Sequence, residues 1–351
     1  EFADFVETFG RVAIPKELPY CFFVEGGALA VENALKTAFD WKTRKNWQKG
    51  SETEGSMAIH FKQAFHGRSG YTLSLTNTSD PRKYQYFPLF DWPRIINPKL
   101  HFPITEENLQ ETIKNEQLAL VEIEQAILMN PDKVSCIIIE VIQAEGGDNH
   151  FRDEFFVELR RICDENEMLL IFDEVQTGIG ITGKMWAFQN FSVVPDVISF
   201  GKKTQVCGIL ANKEKLNQVE HHVFAESSRI NSTFGGNFID MLRFQLVLEI
   251  IEKENLLENV QKQGDFLLKG LQNLQEKYPQ LISNARGKGL MCAFDLPTGE
   301  IRKDFQEKLY EENVIILICG DCSLRFRPHL NVSQEDLQYV LDKIEKIVQK
   351  Y

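Results

Sequence analysis

The feature that most restricts how this chain can fold is a series of short apolar runs through its first two thirds, with amphipathic helical stretches following several of them. The runs at Tyr20 to Val24, Met57 to Phe61, Val134 to Ile139, Met168 to Phe172 and Val197 to Phe200 are strand-length and largely apolar. Strands of that kind are buried on both faces, so the expected fold class is α/β, with a large, mostly parallel sheet covered by helices. After about residue 238 the pattern changes to long polar-faced helices, Phe238 to Glu252 and Leu256 to Tyr278. Strand-like Gly289 to Leu296, a helix, Val314 to Cys319, Leu324 to Phe326 and a terminal helix from Ser333 follow. Ser333 with Glu335 and Asp336 behind it is a sound helix start. The expected division is a helical segment at 1–19, a large domain at 20–237 and a smaller α+β domain at 238–351.

Charge and composition exclude several classes. A net charge of −12 with scattered Lys and Arg leaves no basic stripe for a nucleic-acid backbone. The longest apolar stretches fall far short of the roughly 20 residues that cross a bilayer, so no membrane span is expected. Seven thinly spread cysteines, several inside apolar runs, suit a reducing cytoplasm. Cys319 and Cys322 have metal-knuckle spacing, but no second ligand pair is evident nearby, and no metal is expected. The chain begins at Glu1 without a signal-peptide pattern, and further sequence is expected before it.

Four segments could carry chemistry. In Leu169-Leu-Ile-Phe-Asp173-Glu174-Val175-Gln176-Thr177-Gly178, an apolar strand ends in two acids, at the sheet edge where open α/β folds bind ligands. The same string resembles the acidic strand of a nucleotide hydrolase, and Gly178 to Lys184 matches most of a phosphate loop. Met185, however, stands where a magnesium-binding hydroxyl is needed, and the loop follows the acidic strand instead of opening the fold. Pro195 to Lys203 leads a second strand through Gly201 to Lys202 and Lys203. Adjacent lysines are usually solvated surface. A strand-end aspartate upstream sharpens the reading, because a pyridoxal cofactor needs an amine for its aldehyde and a carboxylate for its ring nitrogen. Val24 to Asn33 joins strand to helix through Gly26 and Gly27, either plain turn chemistry or a helix start whose amides cradle a phosphate. In Gln63 to Gly70, Phe65 could stack on a flat ring and Arg68 could clamp a carboxylate. Core packing and a surface ion pair are the plainer readings of those two residues, and His66 reads as a hydrogen-bonded structural residue.

Together GGALAVENALK, AFHGRSGYTLSLTNT, IQAEGGD, DEVQTG, FGKKTQVCG, NSTFGGN and RFRPHL resemble the class III aminotransferases of the type I pyridoxal-phosphate transferase fold, from about Tyr20 to the C-terminus. The likeness is strongest to the branch acting on the terminal amine of L-lysine. It implies that Lys202 forms the Schiff base with pyridoxal 5'-phosphate and then moves the substrate proton, with Lys203 as the spare. It implies that Asp173 pairs with the ring nitrogen, Val175 and Phe65 sandwich the ring, Gln176 bonds near its 3-hydroxyl, and Gly27 and Ala28 bind the phosphate. Ser232 and Thr233 would reach the cofactor of a neighbouring subunit in a homodimer. Arg68 would hold the far carboxylate of the substrate, while Glu145 would mask Arg325 until 2-oxoglutarate arrives, so that L-lysine is the donor and L-glutamate a product. Ornithine or 4-aminobutyrate remain alternative donors. Val141 and Ala144 stand where the wider family has Pro and Gly, but Glu140, Gln143 and Glu145 are kept.

Overall fold

The computed structural model describes residues 1–351. In chain order the elements are α1 (Phe2–Val12), β1 (Tyr20–Val24), α2 (Gly27–Gln48), β2 (Met57–Phe61), α3 (Gly70–Leu75), β3 (Arg94–Ile95), α4 (Glu106–Met129), β4 (Val134–Glu140), α5 (Asp153–Glu165), β5 (Leu169–Asp173), β6 (Val197–Phe200), β7 (Cys207–Ala211) and α6 (Lys213–Leu216). They continue as α7 (Phe238–Lys253), α8 (Leu256–Lys277), β8 (Ser283–Lys288), β9 (Met291–Asp295), α9 (Gly299–Glu311), β10 (Leu317–Cys319), β11 (Ser323–Arg325) and α10 (Gln334–Val348).

Seven strands form one sheet in the order β1-β7-β6-β5-β4-β2-β3. Only β7 runs against the others, pairing antiparallel with both β1 and β6. Strands β4, β5, β6 and β7 are buried at every residue, as expected for a sheet covered on both faces. Because β1, β2, β4, β5 and β6 share a direction, their carboxyl ends lie along one edge. That edge receives the segments beginning at Glu25, Lys62, Val141, Glu174 and Gly201.

The second sheet is antiparallel, in the order β10-β11-β9-β8, and is covered by α8, α9 and α10. Ser333 caps α10 with a reciprocal bond to Asp336. Several expected bounds move. The strand expected at Val314 to Cys319 narrows to Leu317–Cys319, and that at Gly289 to Leu296 narrows to Met291–Asp295. Val314, Ile316, Leu290 and Leu296 beyond these strands are buried outside the ladder, whereas Ile315 is exposed.

Packing divides the chain later than the change in helix character at 238. Met241, Phe244, Leu248 and Ile251 of α7 join Phe5 and Phe9 of α1 in the core of the large sheet. The core of the small sheet begins its helical contribution at Val260 and also takes in Ile142, Ala144 and Ile181. Phe5 and Phe9, stacked on each other within α1, thus join the large core and meet Phe244 of α7 in a tilted and an edge-on pair.

Candidate active site

Two cavities meet along the carboxyl edge of the large sheet. The inner one, roughly 260 Å³, is lined by Gly27, Ala28, Phe65, Asp173, Val175 and Lys202 among others. The outer one, roughly 690 Å³, opens toward the small sheet past Arg68, Lys83, Glu145 and Arg325. Phe65, Gln176 and Lys202 line both, so the lysine stands where the two spaces join.

At the inner end, α2 starts at Gly27 after Gly26, whose φ of 92° is open to glycine at no cost. No side chain caps this helix, and its first amides lack intrahelical partners. Any Cβ on Gly27 would lie 2.9 Å from Val175 Cγ1, so the absence of a side chain lets the turn pack against the residue flooring the cavity. The result is a set of free N–H groups at the positive end of a long helix, suited to a phosphate.

Asp173, at the tip of β5, is 5 % exposed. Its Oδ1 accepts from Val175 N–H at 3.0 Å and from Ser199 Oγ at 3.2 Å, and its Oδ2 accepts from His66 Nδ1 at 2.8 Å. Burial opposes protonation of His66, but the hydrogen bond and charge of Asp173, with Glu140 adding, outweigh it and raise the imidazole above its ordinary value. Glu140 lies in the same cavity wall, its oxygens accepting from Phe65 N–H at 2.8 Å and Ala144 N–H at 3.1 Å. Burial pushes its carboxyl up to about 7, with His66 opposing and Asp173 adding. His66 and Glu140 therefore belong to the site, although neither is a candidate from sequence. His66 was legible only as a hydrogen-bonded residue, and nothing local distinguishes Glu140 from any strand-end acid.

The second acid of the β5 tip is spent internally. Glu174 accepts from Thr177 Oγ1, from Ala187 N–H at 2.9 Å and from Phe188 N–H at 2.7 Å, so both oxygens are engaged within the chain. The glycine loop that follows packs against Leu257, Gln261 and Leu330 and leads to a single 3-10 turn at Ala187–Asn190 instead of an α-helix, which disposes of the nucleotide-hydrolase reading.

Lys202 and Lys203 lie in the six-residue connection between antiparallel β6 and β7. Lys202 has a left-handed backbone, φ 54°, a conformation found at sites where the surroundings fix the chain. Lys203 Nζ donates to the Gln176 carbonyl at 2.5 Å, and burial, aided by the charge of Arg327, pushes its amine down to about 7. One lysine is thus tied to backbone, while its neighbour lines both cavities.

At the outer end, Arg325 Nη2 donates to Glu145 Oε2 at 2.8 Å, and Lys83 Nζ donates to the other oxygen, Oε1, at 2.6 Å. Burial works to raise the Glu145 carboxyl, but Lys83 and then Arg325 outweigh it and hold it below the usual range. Arg68 is exposed in the cavity wall. Ser232 and Thr233 line neither cavity of their own chain. They lie on the loop before α7, with Thr233 exposed.

An amine at the mouth, a buried carboxylate opposite, an aromatic and a branched side chain across the gap, and uncapped helix amides define a pyridoxal-phosphate enzyme. The residues present fit that cofactor, because each of its reactive or charged parts finds a complementary group in a cavity that Gly27 leaves clear. The model of the family "Aminotransferase class-III" matches residues 1–348, and the chain belongs to that family of pyridoxal-phosphate-dependent enzymes. It is 49% identical over 336 residues to the L-lysine-epsilon aminotransferase of Mycobacterium tuberculosis, covering 95% of this chain and 74% of the relative. The solved lysine aminotransferase of M. tuberculosis superposes with a TM-score of 0.96 at 47% identity, over 99% of this chain and 79% of that one. The human mitochondrial 4-aminobutyrate aminotransferase is 36% identical, over 90% of this chain and 65% of the relative.

Proposed function

We propose that this enzyme moves the ε-amino group of L-lysine to 2-oxoglutarate, giving 2-aminoadipate 6-semialdehyde and L-glutamate in two successive half-reactions. The observation that carries the reading is the Glu145–Arg325 ion pair in the wall of the cavity that Lys202 opens into. Two chemically unlike chains must use that cavity. The methylene chain of lysine needs a wall without a bare charge, and a dicarboxylate needs a cation. A cation covered by a movable anion serves both. The names of the relatives at nearly half identity point to the same donor.

When bound, pyridoxal phosphate supplies an aldehyde for the travelling amino group and a ring that accepts the electrons left on a deprotonated carbon. Lys202 would be the covalent anchor, and its Nζ, when free, would carry the proton between the amine-bearing carbon and the cofactor's C4′. Asp173, held in place by its bonds from His66, Ser199 and Val175, would keep a proton on the ring nitrogen. Phe65 and Val175 would hold the two faces of the ring, Gln176 would bond at its hydroxyl edge, and the amides of Gly27 and Ala28 would hold the phosphate. Arg68 takes the carboxylate at the far end of lysine. In a homodimer, Ser232 and Thr233 would add to the partner's phosphate site, which accounts for their position away from their own cavity.

No helix is long and apolar enough to cross a membrane. The burial of five of the seven cysteines as thiols packed in the interior supports a reducing, cytoplasmic setting. The test is the donor half-reaction. The cofactor-loaded enzyme is mixed in turn with L-lysine, ornithine and 4-aminobutyrate, and loss of its visible absorbance is timed. L-Lysine should react fastest and release a semialdehyde that cyclises. Much faster reaction with either other amine overturns the donor and leaves the reaction class standing.

A further inference from the structure

The ion pair between Glu145 and Arg325 is incomplete as a two-body switch. A carboxylate that gives up its only cation inside a partly desolvated cavity is left with an uncompensated charge, and that penalty commonly exceeds what the incoming ligand can supply. Side-chain exposures here are 26 % for Glu145 and 10 % for Arg325, so water does little to relieve it. Yet the geometry provides a second cation. Lys83, at the end of a single turn from Pro81 to Lys83 that Asp80 caps, is 16 % exposed and donates to the Glu145 oxygen that Arg325 does not use. Its ammonium also lies 5.6 Å from the centre of the Phe65 ring, which fixes it over an aromatic face.

The donor count points the same way. Arg325 spends one N–H on Glu145, and its Nε and Nη1 are buried without a partner. Around Glu145 itself two cations share one carboxylate, and within that trio the unpartnered guanidinium atoms are on Arg325, whereas Arg327, which also lines the cavity and leaves its Nε unpartnered, is already paired with Asp148. A substrate carboxylate that takes Arg325 bidentately would complete the pairing. Glu145 would then keep Lys83 alone and lose only one of its two bonds.

We propose that Lys83 is a specificity-determining residue, the permanent anchor of Glu145 that lets the carboxylate release Arg325 to a dicarboxylate without becoming unpaired. With the lysine chain in the cavity, Glu145 bridges both cations and presents a neutralised wall. With a five-carbon diacid, Glu145 stays on Lys83 and Arg325 changes partner. This rests on the proposed pair of substrates, but its core claim concerns only the dicarboxylate.

The experiment uses the cofactor-loaded enzyme, with glutarate as an unreactive dicarboxylate whose binding is followed by calorimetry and with both half-reactions timed separately. Lys83→Met removes the anchor, and loss of one charge-assisted bond should weaken glutarate binding and raise the KM for 2-oxoglutarate by about tenfold. The effect on the 2-oxoglutarate half-reaction should exceed that on the amine-donor half-reaction by roughly fivefold or more. In a Glu145→Gln background there is no anion to hold, so adding Lys83→Met should change glutarate binding by less than about twofold. Lys83→Arg, which keeps the cation, should restore binding. Equal loss in both half-reactions would mean a merely structural lysine and would overturn the proposal. So would an undiminished tenfold effect in the Glu145→Gln background, which would mean that Lys83 touches the diacid directly. Wild-type enzyme that fails to bind glutarate overturns it outright, whereas enzyme that binds glutarate but rejects L-lysine overturns the donor reading alone.

Discussion

Replacing Glu140 by Gln gives a measurable handle on the buried acid that pairs across the ladder with Asp173. Glu140 is 4 % exposed, and its carboxyl is raised from an ordinary 4.5 to about 7, by burial first. An acid raised on folding binds its proton more tightly in the folded chain, so its contribution to stability is complete below pH 4.5 and is lost as pH rises through 7. The difference of the two values corresponds to about 3 kcal/mol. Gln cannot ionise and carries no such dependence. It has a different cost, because both Glu140 oxygens accept from backbone N–H groups, of Phe65 and Ala144, and an amide nitrogen must face one of them. A donor set against a buried donor costs about 1–3 kcal/mol at every pH. Glu140→Gln should therefore be clearly less stable than wild type at pH 5 and close the gap by pH 8 to 8.5. His66 and Asp173, the charged neighbours, are present in both proteins, so the difference between the two curves reports Glu140 together with its coupling to them. Thermal unfolding at a series of pH values is the assay. For 351 residues the predicted change in the Tm difference is about 4 °C. A Tm difference that stays constant from pH 5 to 8.5 would refute the argument.

Three further outcomes follow from the same geometry. Borohydride reduction and peptide mapping should place the label on Lys202 in both wild type and Lys203→Met, and Lys202→Ala should lose the covalent link. A label on Lys203 would show that its lowered amine, at about 7, governs the chemistry in place of position. Gly27→Ala puts a Cβ 2.9 Å from Val175 Cγ1, and overpacking of about 1–3 kcal/mol should weaken cofactor binding about tenfold or more, read by equilibrium dialysis. Arg325→Ala should raise the KM for 2-oxoglutarate by about a hundredfold, the worth of a bidentate charge-assisted pair, while the amine-donor half-reaction changes far less. Equal effects on the two would contradict a masked cation.

What could be read from sequence was what local pattern determines. β4, apolar up to its final acid except for Ser135, and β5 are buried at every residue, and such runs have few alternatives to an interior strand. Each ends in an acid, so Glu140 and Asp173 reach the same edge, aligned across the ladder. The antiparallel β7 was readable in principle, since only six residues separate it from β6 and a parallel return needs a longer crossover. The membership of α7 was not. A helix period shows which face is apolar but not which of two sheets will cover it, and Met241 to Ile251 chose the large one. Lys83 and His66 escaped for a related reason. Each is a polar residue in a turn-rich segment, and its partner, Glu145 or Asp173, comes from a strand end 62 or 107 residues later.

The site's two ends are therefore set by different parts of the fold, and this bears on what can move. Asp173, Val175 and Lys202 depend on the large sheet, and Arg325 on the small one. Glu145 follows β4 of the large sheet, yet its segment is fastened from the other side. Gly320 N–H donates to the Glu145 carbonyl at 2.9 Å, Arg286 Nε donates to the Asp148 carbonyl at 3.0 Å, and Arg327 Nη1 donates to the Asp148 carboxylate at 2.8 Å. Arg286 is fully buried and also bonds the Gly147 carbonyl, so the turn from Glu145 to Asp148 is held to the strands that carry Arg325. A backbone pinned in this way cannot withdraw Glu145 by loop motion without breaking several buried bonds at once. The remaining freedom is rotation of the Glu145 side chain itself, away from Arg325 and toward Lys83, a motion small enough to occur within each half-reaction and confined to the atoms that distinguish the two substrates.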